Sequence, residues 1–165
     1  MAICPLCTAP EAVAHHEEAG CRYVRCPACG FVFLDPVPTA GELERLYQAE
    51  AGATFHHGAE ISGVFEKRLE ARLRLSILRE ALDGAPERTA LEVGCGAGYL
   101  LDRLRGSGWS VKGTELAESY LRFARERLRL EVSRERPVER FGAVLLFNVL
   151  SHVPDPEQEF RKCRL

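Results

Sequence analysis

No stretch of this 165-residue chain is apolar enough to span a bilayer. Its longest uninterrupted apolar run, Ala143 to Phe147, falls far short of the roughly 20 residues a membrane helix needs. No basic segment followed by an apolar one opens the sequence, which begins Met1-Ala2-Ile3-Cys4-Pro5; no secretory signal is expected, and a cytoplasmic protein is. A basic excess is missing as well. The 22 Lys+Arg stand against 24 Asp+Glu for a net charge of −2, which lacks the electrostatic footprint of a dedicated nucleic-acid binder. Nor is the chain short of core material, at 46% hydrophobic and 28% charged residues, so disorder is excluded. Cysteine, in contrast, is plentiful at seven residues, and a reducing cytosol leaves disulfides a poor explanation.

Four of the seven form two Cys-x-x-Cys pairs, Cys4/Cys7 and Cys26/Cys29, with 18 residues between them, the spacing of a zinc ribbon. Each pair, set on a tight turn, can present two thiolates to one Zn2+, and two pairs complete a tetrahedron with no open position for water. The metal is therefore expected to be structural, supplying folding energy that a module of about 35 residues cannot draw from a core. Pro5, Pro27 and Gly30 fit the corners of such knuckles, and residues 23–25 and 31–34 read as a hairpin. The alternative, redox dithiols, lacks the βαβ setting such motifs occupy. Cys21 reads as a small apolar residue, and two complete pairs leave His15 and His16 no vacancy. Residues 1–34 carry only Arg22 and Arg25 against Glu11, Glu17 and Glu18, so nucleic-acid contact is disfavoured.

Pro36 and Pro38 end the strand pattern, and Thr39 can cap a helix over 40–50. A loose stretch with Gly52, Gly58 and Gly63 carries Phe55, His56 and His57, which are either solvated loop or a lid over a ligand. Over 65–82 the residues Phe65, Leu69, Leu73, Ile77 and Ala81, widened by Leu78 and Leu82, form an apolar stripe expected to face the core. Lys67, Arg68, Arg72, Arg74 and Arg79 are expected on the solvated face, and Gly84 and Pro86 stop the helix.

Residues 89–93 form a short apolar strand that runs into Gly94-Cys95-Gly96-Ala97-Gly98 and then a helical pattern from Tyr99. Alternating glycines let the backbone approach a ligand and leave N–H groups facing it at a helix N-terminus. The G-x-G-x-G spacing, preceded by Glu92, differs from the G-x-G-x-x-G of a dinucleotide turn. A second strand, 109–115, ends in Glu115, a carboxylate placed to accept two ribose hydroxyls. A ribose ligand without pyrophosphate is implied.

With these residues, the chain resembles the class I S-adenosylmethionine (SAM)-dependent methyltransferases of the small-molecule type that carry an N-terminal Cys4 zinc ribbon. The resemblance rests on 91–98, on Gly113-Thr114-Glu115-Leu116-Ala117, and on 141–156, which includes Asn148, Ser151 and His152. It implies an α/β fold: a partial Rossmann-like parallel sheet with flanking helices, preceded by the zinc ribbon. Segments 1–35, 36–85 and 86–165 would be the ribbon, a helical linker with lid, and the N-terminal half of the methyltransferase domain. Glu92 and Gly94, Cys95, Gly96 and Gly98 would hold the methionine end of SAM. Glu115 would bind the ribose, Leu116 would pack on adenine, and Asn148 would lie beside the cofactor. The alternative for Glu115 is a helix N-terminal acid, and for Asn148 a strand cap.

Two departures stand out. After a third strand at 130–133 the chain has Arg134-Glu135-Arg136, where the family commonly places an acidic residue near adenine; and Ser151-His152 stands for the family's Glu-His. His152 could serve as a general base or merely brace a loop. The sequence stops inside the helix that follows the fourth strand, so the apolar strand 143–147 is expected at a sheet edge, covered by a second copy or a partner chain. The expected function is methyl transfer from SAM to a small-molecule acceptor. The alternative is a non-catalytic half-domain that serves assembly through its ribbon and exposed edge.

Overall fold

The computed structural model describes residues 2–46, 55–56, 60–61, 63–150, 153 and 155–163. Two compact units emerge, Met1–Leu43 with Leu150–Arg164, and Glu44–Val149 with Leu165.

In the first unit, β1 (Val13–Glu18), β2 (Cys21–Arg25) and β3 (Val32–Leu34) form an antiparallel sheet in the order β1-β2-β3. The hairpin expected from 23–25 and 31–34 is β2–β3, with Val24 opposite Phe33. Strand β1 carries no apolar alternation, and all six of its residues are exposed; backbone pairing with β2 holds it. Its turn to β2, Ala19-Gly20, takes positive φ at both residues, 49° and 79°, the twist a two-residue hairpin needs. The interior is small: Cys4, Val24, Cys26 and Phe33. Helix α1 covers 40–46. Its start is a reciprocal capping box, in which the Glu42 N–H donates to Thr39 Oγ1 at 3.3 Å and the Thr39 N–H to Glu42 Oε2 at 2.8 Å.

Strands β4 (Phe55–His56) and β5 (Glu60–Ile61) form a small antiparallel pair; His57 lies outside the described residues. Helix α2 (Val64–Asp83) ends at Gly84 as expected. Then come β6 (Thr89–Val93), α3 (Tyr99–Gly106), β7 (Ser110–Thr114), α4 (Glu118–Glu126), β8 (Glu131–Ser133) and β9 (Ala143–Leu146), with α5 (Pro156–Lys162) closing the chain. The last four strands make one parallel sheet in the order β8-β7-β6-β9, the α/β class expected. Central β6 is apolar and buried at Ala90 and Leu91, as a strand covered on both faces must be. Among the described residues β9 pairs with β6 alone, which puts it at the sheet edge.

The start of β9 is held tightly. The Gly142 N–H donates to Thr89 Oγ1 at 2.8 Å, and a Cβ at Gly142 would meet the Glu87 carbonyl oxygen at 2.1 Å. Only glycine lets the two backbones pass so closely.

Helix α2 keeps only Leu78 and Leu82 of the expected stripe against the core and turns the stripe's other large apolar residues outward. Phe65 and Ile77 are 75% and 77% exposed, and Leu69 and Leu73 are also exposed. Its inward face is instead Ala71 and Leu82, with Val64, Leu75 and Leu78 packed partly against the core. The geometry explains the error: a repeat of four residues drifts about 40° per step around a helix of 3.6 residues per turn. The spacing 64, 71, 75, 78, 82 keeps to one side. Three cations expected in solvent flank this inner face and sit over aromatic rings. Lys67 lies 5.6 Å from the Tyr120 centroid, Arg68 5.8 Å from Tyr99 and Arg74 4.4 Å from Phe147. Helix α4 stops at Glu126. Arg129 takes a φ of 55°, and the reversal buries Leu130.

Candidate functional site

From central β6 the chain adds β7 and β8 on one side and then returns to place β9 on the other. In open α/β sheets, ligands sit beyond the carboxyl ends of the strands at such a reversal, here β6 and β9. The glycine loop lies there.

Gly94, Gly96 and Gly98 take φ of 64°, 55° and 83°, a region side chains strain to reach. Their surroundings differ. A Cβ at Gly94 would come within 2.9 Å of Val149 Cγ2, and one at Gly98 within 2.6 Å of Leu130 Cδ1, whereas at Gly96 nothing lies within 4 Å. The outer glycines are required by packing. Gly96 borders open space. Cys95 faces the other way: its thiol is buried, its pKa is raised by that desolvation, and it packs with Leu101 and Leu121.

Glu115 turns toward the loop. One carboxylate oxygen accepts the Gly96 N–H at 2.7 Å and the other accepts the Ala117 N–H at 2.8 Å. A carboxylate offers about four lone-pair sites, so half its capacity stays free for hydroxyl donors. Leu116 beside it is 44% exposed, an apolar surface at the rim. The Arg134 guanidinium donates to the Leu116 carbonyl at 2.6 Å and pairs with Glu44, so a cation does stand where a carboxylate was looked for. Asn148, just past β9, adopts a φ of 56° and is exposed. Its neighbour Val149 abuts Gly94, so the end of β9 meets the loop. His152 lies outside the described residues.

Glu92, on β6, is 2% exposed, and its Oε2 has no hydrogen-bond partner among the described residues. Burial pushes its carboxyl up to about 8; the Arg74 charge opposes the shift, and Glu115 and Glu70 add to it. Arg74, read from sequence as one of a solvated set, is therefore a charge of this site: it pairs with Glu70 and covers Phe147. Sequence gave no signal that separates it from Arg72.

In the other unit, the four sulfurs of Cys4, Cys7, Cys26 and Cys29 lie within 4.8 Å of one another. Cys4 Sγ is 3.7 Å from Cys29 Sγ, and Cys7 Sγ is 3.6 Å from Cys26 Sγ. A tetrahedron with Zn–S of about 2.3 Å has edges of about 3.8 Å, so the donor set fits zinc. Backbone N–H groups of Cys29 and Ala28 draw the Cys26 thiol down to about 7, while hydrogen bonds to the other three thiols push the Cys7 thiol up.

These features define a Rossmann-like α/β protein with a glycine loop at its topological switch point. Residues 65–164 match the family model of a methyltransferase domain, and the chain belongs to that family. It is 29% identical over 136 residues to a ubiquinone biosynthesis O-methyltransferase of Nitrosomonas europaea, covering 74% of this chain and 55% of the relative. With its counterpart from Alkalilimnicola ehrlichii it shares 35% identity over 103 residues, 55% of this chain and 42% of the relative. The chain thus spans about half the length of the curated relatives it matches. The fold resembles magnesium protoporphyrin IX methyltransferase from Synechocystis with bound SAH (TM-score 0.51, 14% identity, 70% of this chain and 61% of that one). It also resembles DhpI in complex with SAH (TM-score 0.51, 21% identity, 74% and 62%). Among the described residues no helix is long and apolar enough to cross a membrane.

Proposed function

We propose that this chain carries the cofactor-binding half of a SAM-dependent methyltransferase acting on a small-molecule acceptor. The observation that carries the reading is the open space at Gly96 beside the Glu115 carboxylate, whose two oxygens each keep an acceptor site beyond the Gly96 and Ala117 N–H groups. Bound SAM would supply an activated methyl group on sulfonium. The protein's task is then alignment of the acceptor and removal of a proton where the acceptor is weak. Glu115 would accept the ribose hydroxyls, with Leu116 against the adenine and Asn148 beside the cofactor. Gly94, Gly96 and Gly98 would shape the wall for the methionine end. Glu92 suits the ammonium of an amino acid. His152 is assigned as the base, and His152→Ala should lower turnover without weakening cofactor binding.

Calorimetric titration with S-adenosylhomocysteine (SAH) tests the assignment. Saturable one-to-one binding, with none for NAD, is expected; no binding of SAH would sink it. Cys4, Cys7, Cys26 and Cys29 are proposed to hold one structural Zn2+, checked by metal content per chain.

The edge position of β9 favours a second element of the reading: its free side is covered by another copy of the chain or a partner. Light scattering on a size-exclusion column should report an assembly at micromolar concentration, and a well-folded monomer would refute it. If SAH fails to bind while assembly persists, the chain is a non-catalytic half-domain.

A further inference from the structure

The neighbourhood of Glu92 is crowded with negative charge. Its strand partners at that level are Gly113 of β7 and Leu145 of β9, which offer the carboxyl no compensating side chain. The charges acting on it are Glu115 beyond the end of β7 and Arg74 and Glu70 on α2. Arg74 is already committed to Glu70 and to the face of Phe147. Counting Glu70, Glu115 and Arg74 as charged gives one net negative charge before Glu92 ionises. A second buried negative charge, on a group with an oxygen lacking any partner, is opposed by both desolvation and repulsion.

We propose that Glu92 stands in the ligand-free protein as a neutral carboxylic acid, and that arrival of a ligand's ammonium group drives its proton into solvent. The inference rests on the cofactor assignment above and adds to it a charge rule: the site admits a cation at the cost of a proton. The ammonium replaces the proton as the carboxyl's counter-charge and gives the orphaned Oε2 a donor. The event is an exchange, with one proton leaving as one cation enters. A ligand lacking that ammonium gains nothing from Glu92 and leaves its proton in place. The carboxyl thereby discriminates between an aminoacyl nucleoside and a plain one.

Titrating SAH near pH 7 in buffers of differing ionisation enthalpy measures the protons released. Close to one proton per SAH is expected from the wild type. None is expected from Glu92→Gln, nor from the wild type binding 5′-methylthioadenosine, the nucleoside without the amino-acid end. SAH binding with no dependence on buffer overturns the inference and leaves the cofactor assignment standing. Absence of SAH binding overturns both. Infrared difference spectra of the ligand-free proteins give a readout free of function: a carboxylic-acid C=O stretch in the wild type at pH 7, absent from Glu92→Gln. A wild-type spectrum without that band refutes the proposal even if SAH binds.

Discussion

The cysteine module and the glycine-loop unit reach order by different routes. The module encloses Cys4, Val24, Cys26 and Phe33, and two of these four are metal-type ligands. The glycine-loop unit encloses Leu91, Leu100, Leu101, Leu104, Trp109, Leu121 and Val132, among others. Burial of one such side chain contributes about 1.5–3 kcal/mol, so the second unit has a core to stand on. The first would depend on the zinc proposed for its four cysteines. Its chemistry is fixed by four atoms, whereas the second unit's is fixed by backbone shape and by one carboxyl kept from water.

The sharpest way to break this contrast is Cys26→Ser. Loss of bound zinc and of chemical-shift dispersion over residues 2–34 is expected, while the glycine-loop unit still binds SAH. A dispersed, metal-free module would show that its small core suffices.

Within the second unit, Leu82→Ala should cost about 2–5 kcal/mol in denaturant unfolding, since Leu82 is only 7% exposed. Gly98→Val belongs to the same class: its Cβ would come within 2.6 Å of Leu130 Cδ1 and strain a φ of 83°.

Glu92 gives the glycine-loop unit a pH signature of its own. Its carboxyl is raised from the ordinary 4.5 to about 8, so between those values the folded chain binds more protons than the unfolded one, and stability falls as pH rises. The loss begins near 4.5 and is complete above about 8. It amounts to a few kcal/mol, and Glu92→Gln should remove the slope. Thermal unfolding from pH 5 to 9 checks this; an unchanged slope in the variant would assign it to other groups.

The smallest effects separate binding from folding. Gly96→Ala has free space around its Cβ, so it should cost about 1 kcal/mol of backbone strain yet weaken SAH at least tenfold. Ile77→Ser, on the outward face of α2, should change stability by no more than about 0.5 kcal/mol.

The Cys-x-x-Cys spacing and the G-x-G-x-G loop were legible because each encodes its geometry within a few residues. The parallel sheet was expected from the resemblance and 143–147 was expected at its edge, whereas the order β8-β7-β6-β9 is set by contacts distant in sequence. Strand β1 was not legible, since its exposed residues carry no pattern. Helix α2 was misread because two apolar stripes compete on one helix, and only tertiary contact with Tyr99, Tyr120 and Phe147 chooses between them. The part of Arg74 arises from that same docking. Glu92 was found by motif, but its missing partner exists only in three dimensions.

Gly142 has one more consequence. A strand with a neighbour on one side alone has little to stop it sliding by one residue, which would turn Leu145 outward and Val144 inward. The backbone crossing at Glu87 and the anchor on Thr89 act as a latch just upstream of β9, so its phase is set from within the unit. Whatever comes to lie along its open side meets a strand already aligned, and inherits that alignment.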